Sequence, residues 1–174
     1  MPEGVRRVAE QTDGAGLHIH PGWSSLLPGI VQGVTGSTAD MSLFGGAKTG
    51  DVIPRWQTLR DRLGCPTIVH ARQIHGDHVL VHDDVPPGLI VGPDADGHAT
   101  RQPNVLLAVS VADCVPIFVA APGAPAIALL HGGWRGVAAG ILERGVKIVC
   151  DSFGPETGDL FVHFGPAICG ECYE

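Results

Sequence analysis

Residues 128–136 read Ala-Leu-Leu-His-Gly-Gly-Trp-Arg-Gly. An apolar run ends on His131 and two glycines turn the chain. Across 134–151, Ala138, Ile141, Leu142, Gly145, Ile148 and Val149 then recur at helical spacing. A strand that turns directly into a helix is a building unit of α/β folds. The turn exposes the side chain at the strand tip, and the helix start behind it offers free N–H groups that, with Arg135, suit an anion. Taken alone, the same residues serve equally well as a plain turn, with Arg135 in a surface ion pair.

Upstream of this unit, 105–111, 116–121 and 126–130 are short apolar runs, each fit to be a strand covered on both faces. Cys114, in Val111-Ala-Asp-Cys-Val-Pro116, falls between the first two, either as inert filling or as a ligand or nucleophile. Runs 67–71 and 78–82 are β-rich and flank Arg72-Gln-Ile-His-Gly-Asp77, which carries Gln73 and His75. Before them a helix is expected with Asp51 as its cap, Pro54 in its first turn, Trp56, Leu59 and Leu63 on one face and Gly64 at its end. Strands are also expected at 17–20, 29–34 and 160–164, with loops at 35–39 and 44–50 that could wall a site. Residues 1–15 are polar and patternless, so a poorly ordered start is expected there. With no repeat and no linker, the expectation for 16–174 is a single α/β domain, mixed β-sheets flanked by helices.

Composition narrows the function classes. Hydrophobic residues make up 44% and charged residues 17%, which rules out a disordered composition. A net charge of −7 repels a nucleic-acid polymer. No signal-like apolar segment opens the chain, and no run approaches the roughly 18 residues of a membrane span, so the expected address is the cytoplasm, away from membranes. Five cysteines, an odd number, fit reduced thiols better than a disulfide framework.

One Cys and two His on three separate connections match the ligand set of a catalytic zinc, which takes three protein ligands and leaves a fourth position open. The expected set is His75, Cys114 and His131. Cys169-Gly-Glu-Cys172 has metal-type spacing but no second pair at zinc-ribbon distance, so it is expected to be a chain-end loop rather than a redox pair.

As a set, Gln73-Ile-His-Gly76, Ala112-Asp-Cys-Val-Pro116, His131-Gly-Gly-Trp-Arg-Gly136, Gly165-Pro-Ala-Ile168 and Cys172-Tyr-Glu174 resemble the laccase-domain family. Its members go by the names multicopper polyphenol oxidase and purine nucleoside phosphorylase with adenosine deaminase activity. The resemblance covers about residue 67 to the end. It implies a fold similar to toxin deamidases that use a Cys and a His, with the metal on His75, Cys114 and His131. It also matches Asp96 to the family's acidic loop, here Asp94-Ala-Asp-Gly-His-Ala-Thr100. Three departures stand out: Gly132 replaces the motif's Ala and is expected to loosen the turn, 35–50 poorly matches the family's glycine-rich motif, and the part that follows Cys-Tyr-Glu in the family is expected to be missing.

The reading that follows is a zinc-dependent purine nucleoside phosphorylase, also able to deaminate adenosine, with nucleoside and phosphate as small-molecule partners. Arg135, Gln73 and Asp96 are the expected substrate contacts, His75, Cys114 and His131 the catalytic centre, and a monomer or small homo-oligomer the expected state; Asp96 and Asp113 are the candidate proton carriers, either of which could instead only orient a His. The alternatives are a copper polyphenol oxidase and a metal-free hydrolase, with Cys114 as nucleophile and His131 as base, acting as a deamidase or in cell-wall precursor editing. Nine histidines with only His18-Ile-His20 in H-x-H form are too few for a multicopper oxidase. Copper can still occupy a one-metal N/S site in vitro.

Overall fold

A computed structural model of the chain describes residues 6–13, 16–36 and 40–173; residues 1–5, 14–15, 37–39 and 174 lie outside the described residues, with those parts of the expected frayed start, the 35–39 loop and the terminal motif. Contacts divide the chain at Ala39/Asp40. In the first unit, β1 (Gln11–Thr12) pairs antiparallel with β2 (Leu17–Ile19), and β2 with β3 (Val34–Thr35). Gln11–Thr12 falls within the stretch expected to be patternless. It is ordered by Asp13, whose Oδ1 accepts the Leu17 N–H at 2.7 Å. Short helix α1 (Trp23–Leu26) also went unforeseen; it buries Trp23. The strand expected at 29–34 is realised only at its end, because Gly29 turns at φ +87° and Val31 is exposed.

The second unit opens with helix α2 (Thr49–Leu63). It starts earlier than expected, with Lys48 rather than Asp51 as its cap, so Pro54 sits past the first turn. The Lys48 carbonyl accepts from the Asp51 and Val52 N–H groups, and the carbonyl Pro54 leaves without a helical partner belongs to exposed Gly50. Gly64 closes the helix at φ +64° as expected.

Strands β4 (Thr67–Ala71), β5 (Val79–His82), β6 (Gly88–Gly92), β7 (Gly97–Thr100), β8 (Val105–Leu107), β9 (Val115–Ala121) and β10 (Ala126–Gly132) follow. Helices α3 (Trp134–Ala138) and α4 (Ile141–Phe153) and strand β11 (Phe161–Phe164) complete the unit. One sheet, β6-β4-β8, is parallel; the other, β11-β9-β10-β7-β5, is antiparallel except for its β5/β7 pair. The expected mixed α/β fold is therefore present.

Side-chain alternation along β10 sorts the core into layers. Ala126, Ala128 and Leu130 pack with Ile141 and Val149 of α4, while Ile127 and Leu129 pack with Val69, Val105 and Leu107 of the parallel sheet. On that sheet's other face, Ile68 meets Val52 and Trp56 of α2. The order is thus helix, parallel sheet, mixed sheet, helix. The single helix expected over 134–151 is interrupted at Gly140, whose φ of +90° breaks the helical path between α3 and α4. The expected strand at 105–111 ends at Leu107, and the second half of the expected acidic loop, Gly97–Thr100, is a fully buried strand.

Candidate metal centre

Topology gathers the site. Because β6, β4 and β8 are parallel, their C-terminal ends lie together, and from that end residues 72–78, 93–96 and 108–114 cross to begin β5, β7 and β9 in the other sheet. β10 runs antiparallel to β9 and finishes at the same end, with His131 opposite Pro116 and Gly132 opposite Val115. Three crossings and one strand end thereby deliver His75, Asp96, Cys114 and His131 to one place.

The potential ligand atoms of His75, Cys114 and His131 all lie within 4.8 Å of one another, and this is the one group of its kind among the described residues. The two imidazole centroids are 4.8 Å apart at 80°. His131 is buried and Cys114 half-buried, while His75 is exposed, so the centre opens on the His75 side.

Asp96 holds this arrangement. It is completely buried, and its carboxyl oxygens accept four N–H groups. Oδ2 takes those of Ile74 (3.1 Å) and Gly76 (2.8 Å); Oδ1 takes that of His75 (2.9 Å) and His131 Nδ1–H (2.8 Å). Three successive backbone N–H groups converge on one anion only if the peptide folds into a nest, and His75 accordingly adopts φ +60°. With Nδ1–H donated to Asp96, His131 keeps Nε2 for the centre, the usual way a carboxylate orients a metal-binding imidazole. Asp96, expected to touch substrate, is wholly inaccessible, and its contacts are with His131 and the His75 loop.

The glycines of the His131–Gly136 motif have separate steric reasons. A Cβ on Gly133 would stand 2.9 Å from His75 Cδ2 and 3.4 Å from both Cys114 Sγ and His131 Cε1, in the midst of the three candidate ligands. One on Gly136 would stand 2.5 Å from the Gly76 carbonyl oxygen, so α3 packs against the His75 loop only as glycine. Gly132 does not loosen the turn as expected. It is a buried, paired strand residue, and a Cβ there would lie 2.9 Å from the Val115 oxygen and 3.0 Å from Ile117 Cδ1.

Burial raises the Cys114 thiol above its ordinary pKa, and the charges of Asp113 and Asp96 raise it further. Without a metal the group is a thiol at neutral pH and a weak nucleophile. Gln73 Nε2 donates to the Ser110 carbonyl at 2.8 Å and its Oε1 accepts the Ser110 N–H at 2.7 Å. Its amide thus ties the His75 crossing to the Cys114 crossing. Arg135 is exposed on α3, its guanidinium 5.0 Å from the Trp134 ring centroid. The helix expected to support an anion beside it has only five residues, too few for a strong N-terminal dipole. Gly133 and Ser110 were missed in these roles; the signal for Gly133 was the doubled glycine directly after a candidate ligand.

Residues 29–174 match the family described as multi-copper polyphenol oxidoreductase laccase. The chain belongs to this family. A purine nucleoside phosphorylase of Xylella fastidiosa is 33% identical over 176 residues, which cover 99% of this chain and 62% of that protein. The purine nucleoside phosphorylase YlmD of Geobacillus stearothermophilus is 34% identical over 79% of this chain and 53% of that one. The crystal structure of YlmD superposes with a TM-score of 0.82 at 29% identity, over 96% of this chain and 68% of that one. YfiH of Bacillus licheniformis gives 0.81 at 25% identity, over 94% and 67%. The chain thus spans 62% or less of the length of these curated relatives.

Proposed function

We propose that residues 16–174 form the laccase-type domain of a zinc-dependent purine nucleoside phosphorylase acting on adenosine- or inosine-type nucleosides. The observation that carries this is the convergence of His75, Cys114 and His131 within 4.8 Å over a buried orienting Asp96. Two imidazoles and one thiol suit zinc with a position left open. Zinc bound there would supply Lewis-acid polarisation of a substrate atom or water, which also allows removal of the adenine amino group. The names of the Xylella and Geobacillus relatives favour phosphorolysis over oxidation, and copper on the same donors would account for oxidase activity in vitro.

The chain's own residues supply the rest. Arg135 is the cation for inorganic phosphate. Ile74 and Trp134, exposed at 54% and 61% beside His75 and Gly133, give the site an apolar rim that a purine can cover. Asp96 is buried with its oxygens engaged by four N–H groups, and exposed Asp113, next to Cys114, is the better placed proton carrier. The substrate-facing set is therefore Arg135, Ile74 and Trp134, with Gln73 holding the site together.

A second reading is favoured by the alignment of Cys114, His131 and Asp96, which also fits a metal-free cysteine hydrolase. The raised Cys114 thiol weighs against it. Zinc-loaded protein given inosine is expected to release hypoxanthine only when phosphate is present, and His75→Ala is expected to remove both zinc and activity. Release without phosphate contradicts phosphorolysis. Iodoacetamide-sensitive turnover of adenosine or muropeptide precursors by metal-stripped protein would move the assignment to the hydrolase.

A further inference from the structure

The centre leaves one reactive pair unused. Cys169 and Cys172 are both exposed free thiols, and their Sγ atoms stand 2.7 Å apart, in contact but longer than the roughly 2.05 Å of a disulfide bond. The Cys172 N–H donates to the Cys169 carbonyl at 2.9 Å, closing a turn that keeps the sulfurs facing each other. The turn is anchored from behind, where Ile168 N–H donates to the Asp113 carbonyl (3.2 Å) and Gly165 N–H to that of Pro116 (2.9 Å). No side chain encroaches on Gly170 between the two cysteines, which leaves the sulfurs open to a small reagent.

We propose that Cys169 and Cys172 are a redox-active dithiol that exchanges with small aliphatic disulfides, Cys169 attacking and Cys172 resolving. In the first step the Cys169 thiolate forms a bond to one sulfur of the small disulfide, whose S–S bond breaks and releases a thiolate that takes up a proton. In the second, Cys172 gives its proton to water and its sulfur attacks Cys169 Sγ, expelling the second small thiolate. The chain loses two electrons and two protons, and the small disulfide is reduced to two thiols. The division of roles follows the surroundings. The Cys169 thiol is held below its ordinary pKa, first by the Cys172 thiol and then by the Cys172 backbone N–H, while the Cys172 thiol is raised by Cys169. Cys65, the contrasting case, is raised by burial.

The test uses the full chain and oxidised glutathione, with alkylation and peptide mapping as the readout. The expected product is an intramolecular Cys169–Cys172 disulfide, formed before any change at Cys65 or Cys150 and reversed by reduced glutathione. Cys172→Ser is expected to accumulate a glutathione adduct on Cys169, and in Cys169→Ser the remaining Cys172 is expected to form its adduct about tenfold or more slowly. Neither variant touches the metal ligands, so zinc content and nucleoside cleavage report separately on the function proposed above. Two free thiols under conditions that oxidise free cysteine, or a disulfide only between chains, would overturn the proposal.

Discussion

Asp96 is the residue on which the centre turns. Changing it to Asn keeps the shape but replaces one accepting oxygen with a donor among four N–H groups, so His131 and the His75 loop lose their common anchor. Zinc affinity of Asp96→Asn, measured by chelator competition, is expected to fall about 10- to 100-fold; an unchanged affinity contradicts the orienting role. Gly133→Ala tests the geometry from the other side. The added methyl meets the His75 ring, a side chain able to swing away, so the variant is expected to fold with an unaltered melting temperature and lose stoichiometric zinc. The three motifs that bring His75, Cys114 and His131 together were legible because each is short and has a distinctive neighbour, and orienting a His was one reading open for Asp96, but its burial was not legible. Its partners lie 21 and 35 residues away in His75 and His131, and sequence does not reveal burial at that range.

At the scale of elements, α4 lies against β10 through a glycine. A Cβ on Gly145 would stand 2.6 Å from Leu130 Cδ1, and Leu130 is fully buried with no room to yield. Gly145→Ala gains about 1 kcal/mol as a better helix former, and overpacking of about 1–3 kcal/mol is expected to outweigh it. A lowered melting temperature checks this. Elements with strong periodicity were read closely, β4 to the residue and α2 to its glycine stop. β7 was missed because Gly-His-Ala-Thr carries no run of β-branched or aromatic residues; it is a strand because β5 and β10 pair with it from both sides. The break at Gly140 was hidden because apolar spacing resumes in phase beyond it.

Across the molecule, acid is expected to act through buried histidines. His98 and His82 share a 2.9 Å hydrogen bond, and β10 pairing sets His98 beside Leu129, on the face toward the parallel sheet. Burial first, and then the nearby His82 and His70, push His98 down to about 3. His70 and His82 are also lowered, chiefly by burial. These rings are neutral in the folded chain and protonate near 6.5 once unfolded, so the unfolded state takes up more protons below that pH. Stability is therefore full above about pH 6.5 and falls as pH drops toward 3, by roughly 1.4 kcal/mol per pH unit for each histidine fully engaged. Urea midpoints between pH 7.5 and 4.5 check the slope, and His98→Leu is expected to flatten it. The layer order was not legible, because which sheet a strand joins depends on partners distant in sequence. No helix among the described residues is long and apolar enough to cross a membrane.

X-ray absorption of the zinc-loaded protein addresses the metal centre most directly. The account predicts one sulfur at about 2.3 Å and two imidazole nitrogens at about 2.0 Å, with the sulfur shell lost in Cys114→Ser. A shell without sulfur, or one that survives that substitution, would contradict it.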